Sequence, residues 1–327
     1  MQLNRVSISP NSIAAQKRIK PRRDRKPGLS LALQGGGAFG AFTWGVLDRL
    51  LEDGVEFDTI SGASSGAINA LLLVSGLENG GADDARARLE RFWRKASDLA
   101  ASMKSVRSGL SFFPTRVLSP YQFNPLGLNP LRNILSEAID FESLAQADIA
   151  LLVAATRVRD GQLRIFRNDD ISVEATLASA ALPMIHHAIQ IDDEWYWDGG
   201  YSANPPVIPL AMEARGERVL VVQVVPMNGE NLPRTPREIN GRLAQITFNR
   251  SLIMEMEMIA ELKRSAGGTV LADDISRKLR ATHFDCIKAE DSLGSMTKHS
   301  GLNLDWKFVT RLSDAGRAAG EAWLAEQ

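Results

Sequence analysis

A serine at the centre of Gly-x-Ser-x-Gly constrains this chain more than any other feature, because its flanks demand a strand, a sharp turn and a helix in succession. The stretch is Ile60-Ser61-Gly62-Ala63-Ser64-Ser65-Gly66-Ala67-Ile68-Asn69. Phe57 to Ile60 suits a buried strand and the compact apolar run Ala67 to Val74 a buried helix. Strand, tight turn and helix form the setting of a nucleophile elbow. Gly62 and Gly66 lack a Cβ, so strand and helix can cross closely and lift Ser64 over the end of the sheet. Its hydroxyl then sits at a helix N-terminus, where backbone N–H groups favour developing negative charge. The competing reading is that Ser61, Ser64 or Ser65 only caps that helix.

A second glycine cluster bears on the choice. Leu29 to Leu33 reads as a strand, and Gln34-Gly35-Gly36-Gly37-Ala38-Phe39-Gly40 turns the chain into a helix from about Ala41 to Leu51. Consecutive glycines leave amides uncovered, and two amides aimed at one point can hold the oxyanion of acyl transfer, worth about 3 kcal/mol per donor. Gly35-x-Gly37-x-x-Gly40 also fits a dinucleotide fingerprint, which needs an acidic residue leaving the next strand. Asp58 enters that strand instead, so the oxyanion reading stands ahead.

Far downstream, Trp195-Tyr196-Trp197-Asp198-Gly199-Gly200-Tyr201 presents a carboxylate where a strand-like aromatic run meets two glycines. Asp-Gly-Gly alone is a common hairpin turn. With a glycine loop, an elbow serine and this aspartate in that order, the chain resembles the patatin-like phospholipase family. Ala178-Ser179-Ala180-Ala181-Leu182-Pro183 and Tyr201-x-x-Asn204-Pro205-Pro206 are similar to the family as well, so the resemblance spans Leu29 to about Pro209.

The resemblance implies a three-layer α/β fold with a mainly parallel central sheet flanked by helices. It also implies a Ser-Asp dyad, in which Ser64 attacks an ester carbonyl and Asp198 takes its proton directly. The oxyanion donors it implies are the amides of Gly36, Gly37 and Ala38, with Gly35, Gly40, Gly62, Gly66, Gly199 and Gly200 as motif glycines. A carboxylate is a weak base unless desolvated, and Trp195 and Trp197 are the expected apolar surround of Asp198. The chain departs from the family at Phe39, where many members carry a basic residue: any charge that residue gives to anion stabilisation is missing, the backbone donors do not depend on it, and head-group preference is left open.

Composition bounds the rest. The 327 residues, 44% hydrophobic, suffice for one large domain or two small ones. Residues 1–28 hold eight basic residues against Asp24, a local +7 that leaves −8 elsewhere. A disordered arm is the simplest reading, and peripheral contact with an anionic membrane the sharper one; nucleic acid is not an expected partner. The arm lacks the apolar core of a secretory signal, and no apolar run is long enough for a membrane span. The single Cys286 fits a reducing compartment, so the expected location is cytoplasmic, at most peripheral to a membrane.

Residues 29–327 read as one α/β hydrolase domain. A charged amphipathic helix is expected from Asp83 to Ala101, and an apolar cover segment over about 97–131. There Leu110, Phe112, Phe113, Tyr121, Phe123, Leu126 and Leu128 alternate with prolines and glycines, as in a crossover or a wall for acyl chains. Ile149 to Ala155 and Arg218 to Val225 read as buried strands, Gln162 to Phe166 as a half-exposed one, and Ile171 to Ala181 as a helix. A helical C-terminal part is expected from about 237, whose many methionines suit an adaptable apolar surface or, as the first expectation, core packing, with Ser313 capping a last helix.

The histidines support a second mechanism. Ser64…Asp198…His283 or His299 has the Ser, Asp, His order of an α/β-hydrolase triad, although neither histidine sits in recognisable loop chemistry. His186 and His187 precede Asp198 closely enough to line a pocket mouth. No two histidines stand at i, i+4, so neither a metal nor another cofactor is expected. The expected function is hydrolysis of a lipid or other acyl ester through an acyl-enzyme, with oligomeric state left open. A Ser-His-Asp esterase, a non-catalytic lipid-binding protein and a nucleotide-binding oxidoreductase are the alternatives.

Overall fold

A computed structural model describes residues 27–107, 119–229, 232–265, 274–293 and 301–327. Most of the basic arm, residues 108–118 of the cover segment with Leu110, Phe112 and Phe113, and His299 lie outside these residues. In chain order the elements are β1 (Leu29–Leu33), α1 (Gly40–Glu52), β2 (Phe57–Ala63), α2 (Ser65–Arg107), α3 (Pro120–Phe123), α4 (Leu131–Ala138) and α5 (Phe141–Gln146). There follow β3 (Ala150–Arg157), β4 (Leu163–Arg167), α6 (Val173–Ser179), β5 (Ile189–Ile191), β6 (Glu194–Asp198), α7 (Val207–Glu213) and β7 (Arg218–Gln223). The chain closes with α8 (Pro236–Arg264), α9 (Asp274–Ala281), β8 (His283–Lys288), α10 (Ala289–Leu293) and α11 (Trp306–Ala325). The two helices read from Ala67 and from Asp83 are one run broken at Gly81, whose φ of 73° and ψ of −159° are not helical.

The strands form one sheet in the order β5-β6-β3-β2-β1-β7-β8, with β4 also paired to β3. The five strands β3-β2-β1-β7-β8 run parallel, while β4 and β6 lie antiparallel to β3, and β5 to β6. Period-two alternation builds the three layers. Leu31, Leu33, Leu220 and Val222 face one core with α1, α2 and α11; Ala32, Val219 and Val221 face another with α7, α8 and α9. Buried on both faces, these strands read as unbroken apolar runs.

Within the C-terminal part, the stretch at His283 forms β8 and joins the main sheet beside β7. Two expectations need correction. The last helix begins at Trp306 under an Asp305 cap, and Ser313 is buried in its middle, because the apolar face of Phe308, Val309 and Leu312 already precedes it. α8 is not a core helix throughout. Leu252 and Ile259 are buried, whereas Ile239, Leu243, Ile246, Met254 and Met258 are exposed, since a single helix on the outside of a sheet has one face to bury. Among the described residues no helix is long and apolar enough to cross a membrane.

Candidate active site

The turn between β2 and α2 holds Ser64 at a φ of 53°, left-handed backbone that costs a non-glycine residue about 1–2 kcal/mol. The surroundings enforce it. The Ser64 N–H donates to both the carbonyl (3.1 Å) and the Oγ (3.0 Å) of Ser179, and the Ser64 carbonyl accepts from the Ile68 N–H at 3.0 Å. A Cβ on Gly62 would lie 2.6 Å from the Ala67 nitrogen, and one on Gly66 would run into the Leu33 carbonyl, so β1, β2 and α2 approach only through glycine. Ser65 does not cap α2: its Oγ accepts from the Gly36 N–H at 3.1 Å and ties the elbow to the glycine loop. Ser61 is buried inside β2.

Strand register brings the aspartate to the serine. β3 pairs with β4 along one edge, from Leu152 to Thr156, so β2 and β6 must share its other edge. β2 ends there with Ala63 opposite Ala154, and β6 ends one position on, with Asp198 opposite Ala155. Ser64 and Asp198 thus meet where two strands abut end to end. One segment spans both, as Ser179 receives the Ser64 N–H and the Ala181 carbonyl accepts the Asp198 N–H at 2.9 Å. Gly199 passes over the Ala154 carbonyl where a Cβ would collide, and a Cβ on Gly200 would meet the Phe248 ring at 2.5 Å.

Asp198 is fully buried. Its Oδ1 accepts from the Gly200 N–H at 2.7 Å, and its Oδ2 has no hydrogen-bond partner among the described residues. Burial pushes the carboxyl up to about 7, against the opposing pull of the Gly200 amide and the Ser64 hydroxyl. No hydrogen bond joins the Ser64 hydroxyl to the carboxyl, whose Oδ2 is left without a partner among the described residues. The desolvation does not come from the two tryptophans. Side chains alternate along a strand, so Asp198 shares its face with Tyr196, which packs edge-on against Phe166 at 5.6 Å; Trp195 and Trp197 point the other way, and Trp195 is exposed.

The glycine loop is held from outside by residues the motif does not contain. Asn204, fully buried, accepts the Gly35 N–H at 2.8 Å and donates to the Gly35 and Phe248 carbonyls, each at 3.0 Å. Gln34 accepts from the Val224 and Val225 amides, both at 2.8 Å, and donates to Asn249 at 2.9 Å. Only the placement of Asn204 in the Tyr-x-x-Asn-Pro-Pro run and of a glutamine at a strand's end hinted at these roles. Asn204→Ala leaves the buried Gly35 amide and carbonyl without this partner and removes a second bond to the Phe248 carbonyl within α8. It is expected to lower the unfolding free energy by about 3 kcal/mol, read by urea titration, and to loosen the glycine loop.

Of the three amides expected as oxyanion donors, two hold protein acceptors. Gly36 donates to Ser65, and Ala38 donates to the Gly301 carbonyl at 2.6 Å. Gly37, at a φ of 60°, heads a short 3-10 turn, where a helix offers no internal acceptor for its N–H. A Cβ on Gly37 would collide with that same Gly301 carbonyl. Phe39 turns into the core, edge-on to Phe308 at 6.2 Å, so this position presents no group to a ligand. Gly40 opens α1 and its carbonyl accepts from Asn69 at 2.9 Å.

The remaining candidates lie elsewhere. His283 starts β8 opposite Arg218, at the N-terminal ends of the parallel strands, whereas Ser64 lies at their C-terminal ends. Its side chain is exposed and pairs with Asp285 at 3.0 Å. His186 is held below its usual range by burial. His187 stacks on Tyr121 at 4.1 Å, and the Tyr121 hydroxyl accepts from the Ala188 N–H at 3.2 Å, which lays the described end of the cover segment on the loop after Pro183. Asp58 accepts from Ser30 Oγ at 2.6 Å, Gly216 N–H at 2.9 Å and Gly28 N–H at 3.2 Å, so this carboxylate serves the sheet's far end and no ribose. Among the described residues no group of three or more His, Cys, Asp or Glu could hold a metal.

Comparison with solved structures finds VipD from Legionella pneumophila, 16% identical over 92% of this chain and 67% of that one, with a TM-score of 0.46. The ExoU–SpcU complex from the type III secretion system of Pseudomonas aeruginosa is 17% identical over 91% of this chain and 69% of that one, with a TM-score of 0.35. A further structure of the type III effector ExoU, 19% identical over 74% of this chain, is covered to 54% of its length, with a TM-score of 0.32. The chain thus spans between half and seven-tenths of the length of these structures, and scores below 0.5 decide nothing about its chemistry. The family model described as patatin-like phospholipase matches residues 31–211, more than half of the chain, and takes in the glycine loop, the elbow serine and Asp198. On that match the chain belongs to the patatin-like phospholipase family.

Proposed function

We propose that this protein hydrolyses carboxylic esters of lipids, a phospholipid or another acyl ester, through a Ser64–Asp198 dyad. The observation that carries the reading is a buried carboxyl, raised to about 7, with one oxygen unpartnered beside a serine in strained backbone. Ser64 Oγ attacks the ester carbonyl carbon as its proton passes to Asp198 Oδ2. The tetrahedral oxyanion takes its hydrogen bonds from the glycine-loop amides, Gly37 first, with Gly36 and Ala38 joining as their present acceptors yield. Collapse breaks the bond to the alkoxy group, which leaves as the alcohol with the proton from Asp198, and the acyl group stays on Ser64. Water then attacks the acyl-enzyme, giving its proton to Asp198, and collapse returns that proton to Ser64 Oγ as the fatty acid leaves.

A serine, histidine, aspartate triad through His283 loses support because that residue stands at the opposite end of the sheet, while His299, the other candidate, lies outside the described residues. The lone Cys286 supports a reducing, cytoplasmic setting, with action at the face of a membrane. A fluorophosphonate probe tests the reading directly. Covalent labelling recovered on the peptide containing Ser64, and lost in Ser64→Ala, is the expected result. A folded protein that binds lipid and takes no label would be a non-catalytic lipid carrier on the same scaffold.

A further inference from the structure

The turn that carries Asp198 also carries a tyrosine that the dyad chemistry does not use. β6 runs directly into the 3-10 turn Gly199–Tyr201, and the backbone around Tyr201 is pinned on both sides. The Gly200 N–H donates to Asp198 Oδ1 at 2.7 Å, and the Ser202 and Ala203 N–H groups donate to the Gly199 carbonyl at 3.0 Å and 2.9 Å. The Asn204 N–H donates to Ser251 Oγ at 3.0 Å. From β3, the Thr156 hydroxyl donates to the Asp198 carbonyl at 2.7 Å and lies 2.9 Å from Ser202 Oγ. Firmly as its backbone is held, the Tyr201 hydroxyl has no hydrogen-bond partner among the described residues.

The side chain stands at the rim of the dyad. Its ring meets Phe248 edge-on with centroids 5.2 Å apart, and Phe248 fills the space under Gly200, where an added Cβ would lie 2.5 Å from that ring. Asp198 is fully buried and Ser64 is 7% exposed, whereas Tyr201 is 42% exposed, so the turn hides its carboxyl and leaves its phenol open. Burial, and after it the Asp198 carboxylate, hold the phenol above its ordinary range. The group therefore stays a neutral O–H donor above about 7, where Asp198 is ionised.

The chemistry of the dyad says which half of a substrate this donor meets. The ester carbonyl faces the glycine-loop amides, while the proton held by Asp198 passes to the alkoxy oxygen, so side chains grouped with Asp198 border the alcohol half. On the loop side Phe39 turns into the core, and the polar side chain on offer comes from the aspartate's side. We infer that Tyr201 is a specificity-determining residue, whose hydroxyl donates a hydrogen bond to an oxygen of the alcohol half and so selects glyceryl esters over esters of plain alkanols. The inference rests on the proposed Ser64–Asp198 hydrolysis. A site built to hydrogen-bond a substrate oxygen discriminates against the analogue that lacks it, because the donor is then left unpaired.

Tyr201→Phe keeps the ring on Phe248 and removes only the oxygen. Three esters that share one acyl chain test it in the full-length protein: monooctanoylglycerol, octanoyl lysophosphatidylcholine and ethyl octanoate. The variant is expected to lose about tenfold in kcat/KM on the glyceryl esters and to stay within about twofold of wild type on ethyl octanoate. Labelling of Ser64 by a fluorophosphonate expels fluoride and meets no alcohol half, so its rate should match wild type. Loss on both glyceryl esters puts the acceptor on the glycerol, and loss on octanoyl lysophosphatidylcholine alone puts it on the phosphate. Equal loss on all three esters overturns the inference: with slower labelling Tyr201 is a prop of the dyad, and with unchanged labelling it touches the shared acyl chain. A wild type active on these esters beside an indifferent Tyr201→Phe sinks this inference and leaves the hydrolase reading standing. A wild type that cleaves none of them and takes no label sinks the hydrolase reading itself.

Discussion

Asp198→Asn is expected to lower ester hydrolysis by about 10⁴-fold while making the protein more stable than wild type above neutral pH. An amide cannot take the Ser64 proton, yet its oxygen can still accept the Gly200 N–H that now reaches Oδ1. The stability gain follows from the carboxyl's environment. Its folded-state value of about 7 lies above its ordinary 3.8, so the stability contributed by its protonated form is fully present below about 4 and lost as pH rises through 7. Ionising the buried group therefore costs wild type up to about 4 kcal/mol by pH 8, a cost that Asn does not carry. Glu255, also raised to about 7 by burial, titrates in the same window, so the difference between variant and wild type across pH 5 to 8 isolates Asp198. Activity has the opposite sign. Only the ionised carboxylate is a base, so kcat/KM should rise with pH and level off above about 7, falling about tenfold per unit below it. An active Asp198→Asn, or equal stability curves, would remove the aspartate from the mechanism.

Ser64→Ala is expected to abolish turnover, by about 10⁴-fold or more, with the unfolding free energy within about 1 kcal/mol of wild type. The bonds that hold the elbow run through the Ser64 backbone N–H and carbonyl, which alanine keeps, and the left-handed strain acts on the Cβ that both residues share. What disappears is the oxygen beside the Asp198 carboxyl. Ser65→Ala is the informative control. It removes the acceptor of the Gly36 N–H and should slow turnover far less, since the loop keeps its anchor on Asn204. Calorimetry beside p-nitrophenyl ester hydrolysis separates the two effects; a Ser64→Ala protein with most of its rate would assign the nucleophile elsewhere.

Gly301 adds a condition on both measurements. Its carbonyl accepts the Ala38 N–H at 2.6 Å, so a proposed oxyanion donor is engaged before substrate arrives. A bound ester oxygen must compete with that carbonyl for Ala38, and the Gly37 amide is the donor with least to give up.

Most elements and the three motifs were legible in the chain because both rest on local properties. Unbroken apolar runs marked β1, β3 and β7, and the glycines marked the places where strand and helix approach too closely for a Cβ, as Gly66 does at the Leu33 carbonyl. Serine and aspartate could be named from their settings, 134 residues apart. Tertiary structure alone decided that they meet, since the register of β2 and β6 along one edge of β3 is a pairing between distant segments that no local period encodes. It likewise decided that Tyr196, and not Trp195 or Trp197, lies on the face of Asp198, that Asn204 reaches back to Gly35, and that α8 turns five aliphatic side chains outward. Periodicity tells a helix or strand which side chains share a face; what stands opposite that face, another element or solvent, is fixed only when segments far apart in the chain pack together.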